Sequence, residues 1–330
     1  MEIRRVIPRD AIPSVDDPEF ADRYDGDPDD EVIVVDAERA RAYPVRYLHY
    51  HEIVNDRVAD PAGTDSPGDG GVPIAVTWCP LCASAVVYDR RVGGERLTFG
   101  VSGKLADDDL VMYDRETDSE WKQSSGACIA GTYGGERLRV LPAAMTSYER
   151  FRESHPDGVV LAPPGGESEA SGPGDEPEPI DYDDAPYRRY FETEGFGLDA
   201  HRGEGSREWD REDIDPKAVV LGIESDDEAL GVPVEVLEEA GGVVRVPVGM
   251  IGAVVFATDE GIHAFADPGI EFERDGEVFR GDGTTWDGAT GEAADGRRLD
   301  RLPARRLFAF AWQDDHGPDA FLTDQPEDGR

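Results

Sequence analysis

The chain has 330 residues and a mass of 36.0 kDa, long for one comfortable core and suited to two units of ordinary size. Asp plus Glu number 73 against 33 Lys plus Arg, a formal net charge of −40, which excludes a general nucleic-acid binder and a chain that rests on an anionic membrane. The longest uncharged stretches, such as Val76 to Tyr88, fall short of the ~20 residues of a spanning helix, and the start, Met1 to Pro8, has no apolar core of a secretory signal, so a soluble cytoplasmic protein is expected.

Lysine is scarce, at Lys104, Lys122 and Lys217 alone. Acid crowds segments such as Asp27-Pro28-Asp29-Asp30-Glu31 and Asp107-Asp108-Asp109. A compact state of this charge repels itself unless counterions screen it, which high intracellular salt does within roughly 3 Å. The composition therefore resembles that of a halophile's protein and carries no message about partners. Disorder is the weaker reading, because 38% hydrophobic residues arranged in β-type runs can bury a core.

Residues 1–30 form an irregular, Pro- and Asp-rich N-terminal segment. Glu31 to Val35 is the first strand-like run, and Pro44 opens a short helix expected to reach about Val54. Strands follow at Val72–Trp78, Ala85–Tyr88, Arg96–Val101 and Leu110–Tyr113, with Gly or Asp between them. Cys128–Tyr133 and Arg137–Leu141 bracket Gly134-Gly135 as a hairpin. Thr146-Ser147-Tyr148-Glu149 is a capping-box pattern for a helix that Pro156 stops. Residues 31–162 are thus a first β-rich repeat, and 163–216 an acidic, Gly- and Pro-rich linker and connector.

Residues 217–330 read as a second, degenerate copy. Ala42 to Leu48 is echoed by Gly231 to Leu237, and Ala85-Val86-Val87-Tyr88 by Ala253-Val254-Val255-Phe256. Trp121 and Arg137 to Ala143 are echoed by Trp286 and Arg298 to Ala304. The offsets fall from 189 through 168 and 165 to 161, as expected of one unit with shorter loops in its second copy. The expected fold is β-rich (all-β or α+β), an internally duplicated antiparallel β unit with a few short helices. The second copy lacks the chemistry: Ala240 stands where the first has His51, and Gly249 to Gly252 where the first has Trp78-Cys79-Pro80-Leu81-Cys82.

Cys79 and Cys82 therefore draw attention. Two thiolates at this spacing in a turn can chelate one soft metal, zinc or copper, and can also close a small reducible disulfide. His51 is the expected third ligand, on the helix flank away from His49, with Glu52 placed to orient it or take its proton. Lys104 and Gln123 are further candidates at a site, whereas Cys128, in the apolar run Ala127 to Ala130, is expected in the core. A knuckle turn usually takes Gly after the second cysteine, and here the residue is Ala83.

His51-Glu52-Ile53-Val54-Asn55-Asp56, Trp78-Cys79-Pro80-Leu81-Cys82, Phe99 to Leu105, Leu110 to Arg115 and Trp121-Lys122-Gln123, in this order, resemble the Domain of Unknown Function 3179 family (DUF3179), from about residue 31 to 325. The resemblance implies no established activity. It marks three departures: no export signal, unlike many bacterial members, Ala83 where the family has Gly, and Cys128 where Ala is commoner. Three readings follow from the residues: a metal site, catalytic or not; a thiol–disulfide redox protein using Cys79 and Cys82; and a non-catalytic β-rich scaffold or partner-binding module.

Overall fold

The computed structural model describes residues 1–59, 71–172, 176–225 and 228–323. Among them no helix is long and apolar enough to cross a membrane. The expectation of a β-rich, antiparallel fold with short helices holds. A six-stranded sheet orders Glu228–Pro233, Val219–Ser225, Arg305–Phe308, Ser84–Asp89, Val72–Cys79 and Ile53–Val58, every neighbour antiparallel. Ile3–Arg5, Phe99–Ala106, Asp109–Asp114, Glu120–Lys122 and Cys128–Ala130 form a second sheet. A third holds Ala144–Ser147, Glu31–Val35, Arg41–Pro44, Val159–Leu161 and Phe20–Ala21. Two three-stranded meanders, Val243–Ala266 and Glu273–Trp286, complete the second half.

The Val72–Cys79 strand is buried on both faces: Ile74, Val76 and Trp78 on one and Ala75 and Thr77 on the other are almost wholly inaccessible. That is the pattern of a strand central to a covered sheet. The six-stranded sheet takes three strands from each half, and this strand is paired on both sides, by Ile53–Val58 and Ser84–Asp89.

The halves share part of their element order, although the first also has the short strands Arg91–Val92, Glu95–Arg96 and Cys128–Ala130. Each begins with a hairpin (Glu31–Val35 with Arg41–Pro44; Val219–Ser225 with Glu228–Pro233) and a proline-capped helix (Val45–His51; Val234–Glu239). A three-stranded meander follows, then three antiparallel strands of which the last carries a tryptophan (Trp121; Trp286), and a later strand that pairs with the first. Hydrogen bonds recur at matching places. Leu138 N donates to Gly126 O and Leu299 N to Gly291 O, both at 2.9 Å. Gly126 and Gly291 both have positive φ, at 69° and 75°, and a Cβ on either would strike the ring of Tyr88 or Phe265. Leu141 N donates to Val87 O and Leu302 N to Ala264 O. This last pair equates Ser84–Asp89 with Gly261–Ala266, so the expected match of Ala85–Tyr88 to Ala253–Phe256 is out by one strand. Short apolar words recur on every doubly covered strand, which makes them poor register marks. In the second half the place of the cysteine turn in the element order is taken by the tight turn Thr258–Gly261.

Further expectations change. The helix ends at His51, not Val54, because Glu52 takes φ 56° and Ile53 starts a strand. Ser147, not Thr146, caps the Tyr148–Ser154 helix, accepting from Arg150 N at 3.2 Å. The supposed linker is packed: Tyr187, Tyr190, Phe196 and Leu198 are buried, on or beside the helices Arg188–Glu192 and Leu198–Arg202. The N-terminal segment is likewise tied in, through Val15 N to Ile53 O and Asn55 N to Val15 O. Acid and proline fix where these segments meet water, but the aromatics among them supply the buried area.

Candidate functional site

Cys79 ends one strand of the central hairpin and pairs with Ser84, which begins the other. Pro80 to Ala83 make the turn, and Ala83 adopts the left-handed conformation, φ 44°, that a glycine would take at little cost. The turn is clamped from outside: Tyr190 Oη donates to Leu81 O at 2.7 Å, and Phe308 N to Cys82 O at 2.8 Å. Both thiols are buried, and Cys82 Sγ donates to Asp108 O at 3.6 Å. Burial pushes both thiols above their ordinary values, Cys82 strongly.

A carboxylate completes the group. Asp107 and Asp108 turn the chain with φ of 51° and 66°, and Asp109 follows as the first residue of a strand, 1% exposed. One ligand atom each from Cys79, Cys82 and Asp109 lie within 4.8 Å of one another. Asp109 Oδ2 accepts from Ser124 N at 2.8 Å, whereas Oδ1 is buried with no hydrogen-bond partner. Burial pushes the Asp109 carboxyl up to about 6, although the Lys122 ammonium pulls the other way. Lys122 Nζ is held by Asp315 Oδ1 at 2.7 Å.

Cys79 also faces a cleft of about 610 Å³, lined in addition by Glu52, Lys104, Glu169, Tyr187 and His201. Glu52 is the unusual member. Its backbone is left-handed, where the second half's counterpart, 189 residues on, is Gly241 with φ 87°. The carboxyl is 7% exposed and its Oε2 has no partner. Burial, then the charges of Glu169 and Asp109, push it up to about 8, so it is mostly protonated at neutral pH.

His51 does not join the thiols. Its Nδ1 meets Pro13 O at 2.9 Å and its Nε2 meets Tyr182 Oη at 2.7 Å. Among the described residues, the metal-ligating side chains that come together are Cys79, Cys82 and Asp109. The reason is the left-handed turn at Glu52, which ends the helical rotation and sends neighbouring side chains to different clefts. His49 is the histidine that packs on Trp78 and Tyr187, with ring centroids 6.0 and 5.4 Å away, and burial drops it to about 4. Lys104 lines the cleft and pairs with Glu120 at 2.6 Å. Gln123 lies behind the hairpin, its Nε2 donating to Thr77 Oγ1 at 2.8 Å and Ser84 O at 3.2 Å, while its Oε1 has no partner. Cys128 sits in the core, its thiol donating to Ala130 O at 3.3 Å.

Asp109 was not singled out by sequence reasoning, since one acid among 73 gives no signal. The usable clue was its place at the head of Leu110-Val111-Met112, where a carboxylate must enter an apolar strand. The assembled group is two buried thiols and two buried, protonatable carboxyls at the edge of the cleft. Lys122, the cation that acts on Asp109, is already committed to Asp315. Such a set binds a cation by releasing protons.

The chain matches the family described as "Protein of unknown function (DUF3179)" over residues 9–319 and belongs to it. No curated protein and no solved structure matches it.

Proposed function

We propose that this DUF3179 protein holds a soft divalent metal between Cys79, Cys82 and Asp109, with the next coordination position turned to the cleft beside Glu52. The observation that carries the reading is the approach of three buried ligand atoms to within 4.8 Å on two separate sheets. The partnerless Asp109 Oδ1 supports it, because a buried carboxylate oxygen without a donor is costly. A carboxylate beside two thiolates suits zinc better than copper(I), which prefers sulfur alone. Three protein ligands leave a position for water or substrate, and the metal would supply Lewis acidity there. Glu52, protonatable and with its Oε2 partnerless, stands where a proton could be given or taken.

Thiol–disulfide exchange is less well supported. An attacking cysteine gains from a lowered pKa, commonly at a helix N-terminus. Cys79 instead ends a strand, and burial raises its thiol. The matched hydrogen bonds support the further reading that the halves descend from one duplicated unit, of which the first kept the turn cysteines.

Elemental analysis of the untagged protein, purified in molar KCl, tests the metal reading. About one zinc per chain should be found, lost in Cys79→Ser and reduced in Asp109→Asn, and retained in Cys128→Ser. Equal loss from Cys128→Ser, or no metal in wild type after incubation with zinc, overturns it.

A further inference from the structure

A second site, independent of the thiols, lies where the halves meet. A cavity of about 30 Å³ opens between the Tyr148–Ser154 helix and the Gly261–Ala266 strand, and Arg150, His155, His263, Arg298 and Arg301 line it together with Asp36. In a chain of net charge −40 this gathering of three arginines and two histidines is unexpected.

Some of that charge is answered within the protein. Arg298 pairs with Asp36 at 3.1 Å, His155 lies 3.8 Å from Asp36, and Arg150 pairs with Asp287 and Glu153. Arg301 has no carboxylate partner among the described residues. It donates to Ala289 O, stacks 4.6 Å from the Phe265 centroid and lies 3.5 Å from His263 Nδ1. His263 is 2% exposed and its Nε2 has no partner, nor has the buried Nε of Arg150. Burial lowers Arg301 to about 10, the response of a cation short of a counter-charge. Buried cations are ordinarily paired. With 73 carboxylates in the chain, a fixed partner was easily had.

We propose that this junction binds one small inorganic anion, a halide of the size of chloride, between Arg301, His263 and Arg150. A volume near that of one water molecule in the liquid, ~30 Å³, suits a halide. The anion would join side chains from both halves, so its binding stabilises their docking.

Bromide diffraction and thermal melts test the site. Crystals grown in 1 M bromide should show an anomalous peak in the cavity, absent from Arg301→Met. At constant potassium and ionic strength, replacing gluconate by chloride should raise the wild-type Tm by on the order of 5 °C, and His263→Leu should lose most of that increment. No peak in wild type, a peak without any chloride-specific increment, or displacement of bromide by equimolar sulfate would each overturn the halide assignment. The wild-type measurements stand even if neither variant folds.

Discussion

Glu52 bears two costs, a left-handed backbone at a residue with a Cβ and a buried carboxyl with a partnerless oxygen. Its pKa rises from 4.5 unfolded to about 8 folded, so the folded state holds its proton where the unfolded state has released it. The stability from this group is fully present below pH 4.5 and is lost as pH rises through 8. In metal-free protein, Glu52→Gln should therefore gain on wild type across that window, by on the order of 4 kcal/mol at its upper end. Urea denaturation at pH 5, 6.5 and 8 checks this, and parallel profiles would count against a buried Glu52 carboxyl. His49 acts in the opposite sense at lower pH. Its value falls to about 4, so protonation of the unfolded chain costs stability as pH drops from 6.5 toward 4.

The cysteine hairpin holds its shape through contacts from distant elements. Tyr190 Oη both donates to Leu81 O and accepts from Gly197 N at 3.1 Å. Tyr190→Phe should cost about 1–2 kcal/mol and loosen the turn without touching a ligand. The expected result is a Tm drop of a few degrees with faster zinc loss to a chelator. An unchanged chelation rate would show the turn to be held by the backbone alone. The other end of the six-stranded sheet depends on Glu224, whose carboxyl pairs with Arg305 at 2.8 Å and lies 2.9 Å from His316 Nε2. These partners hold its carboxyl down to about 2. That stability is present above 4.5 and lost as pH falls toward 2. Glu224→Gln should flatten the acid limb of the stability curve by about 2–3 kcal/mol, read by circular dichroism between pH 5 and 2.

At the scale of the molecule, the charge of −40 and the shared sheet act together. Self-repulsion is spread over a fold whose halves cannot separate without breaking the Arg305–Phe308 and Ser84–Asp89 pairing. Raising KCl from 0.1 to 2 M should increase Tm by ten degrees or more in one cooperative transition. Two transitions, or a Tm insensitive to salt, would show that the halves melt independently or that the charge is already neutralised. The general salt effect differs from the halide effect, because it should follow ionic strength whatever the anion.

The sequence by itself determined the β-rich class, the family and the turn cysteines, because alternation, glycine placement and paired thiols are local properties. Ala83 shows how far this reaches. The missing glycine cast doubt on the turn, yet the alanine accepts the left-handed conformation, since strands on both sides fix it. Tertiary structure decided the rest. His51 and Glu52 are adjacent in sequence, but one non-helical residue sends one to Tyr182 and the other to the thiol cleft. Asp109 lies 27 residues beyond Cys82 and on another sheet, so no spacing rule could pair them. The strand register of the second half depended on hydrogen bonds from Leu141 and Leu302, because several strands share one apolar word. The sequence encodes which residues can ligate, titrate or turn; long-range strand pairing decides which of them meet, because only it brings distant carboxyls and thiols into one buried, low-dielectric space.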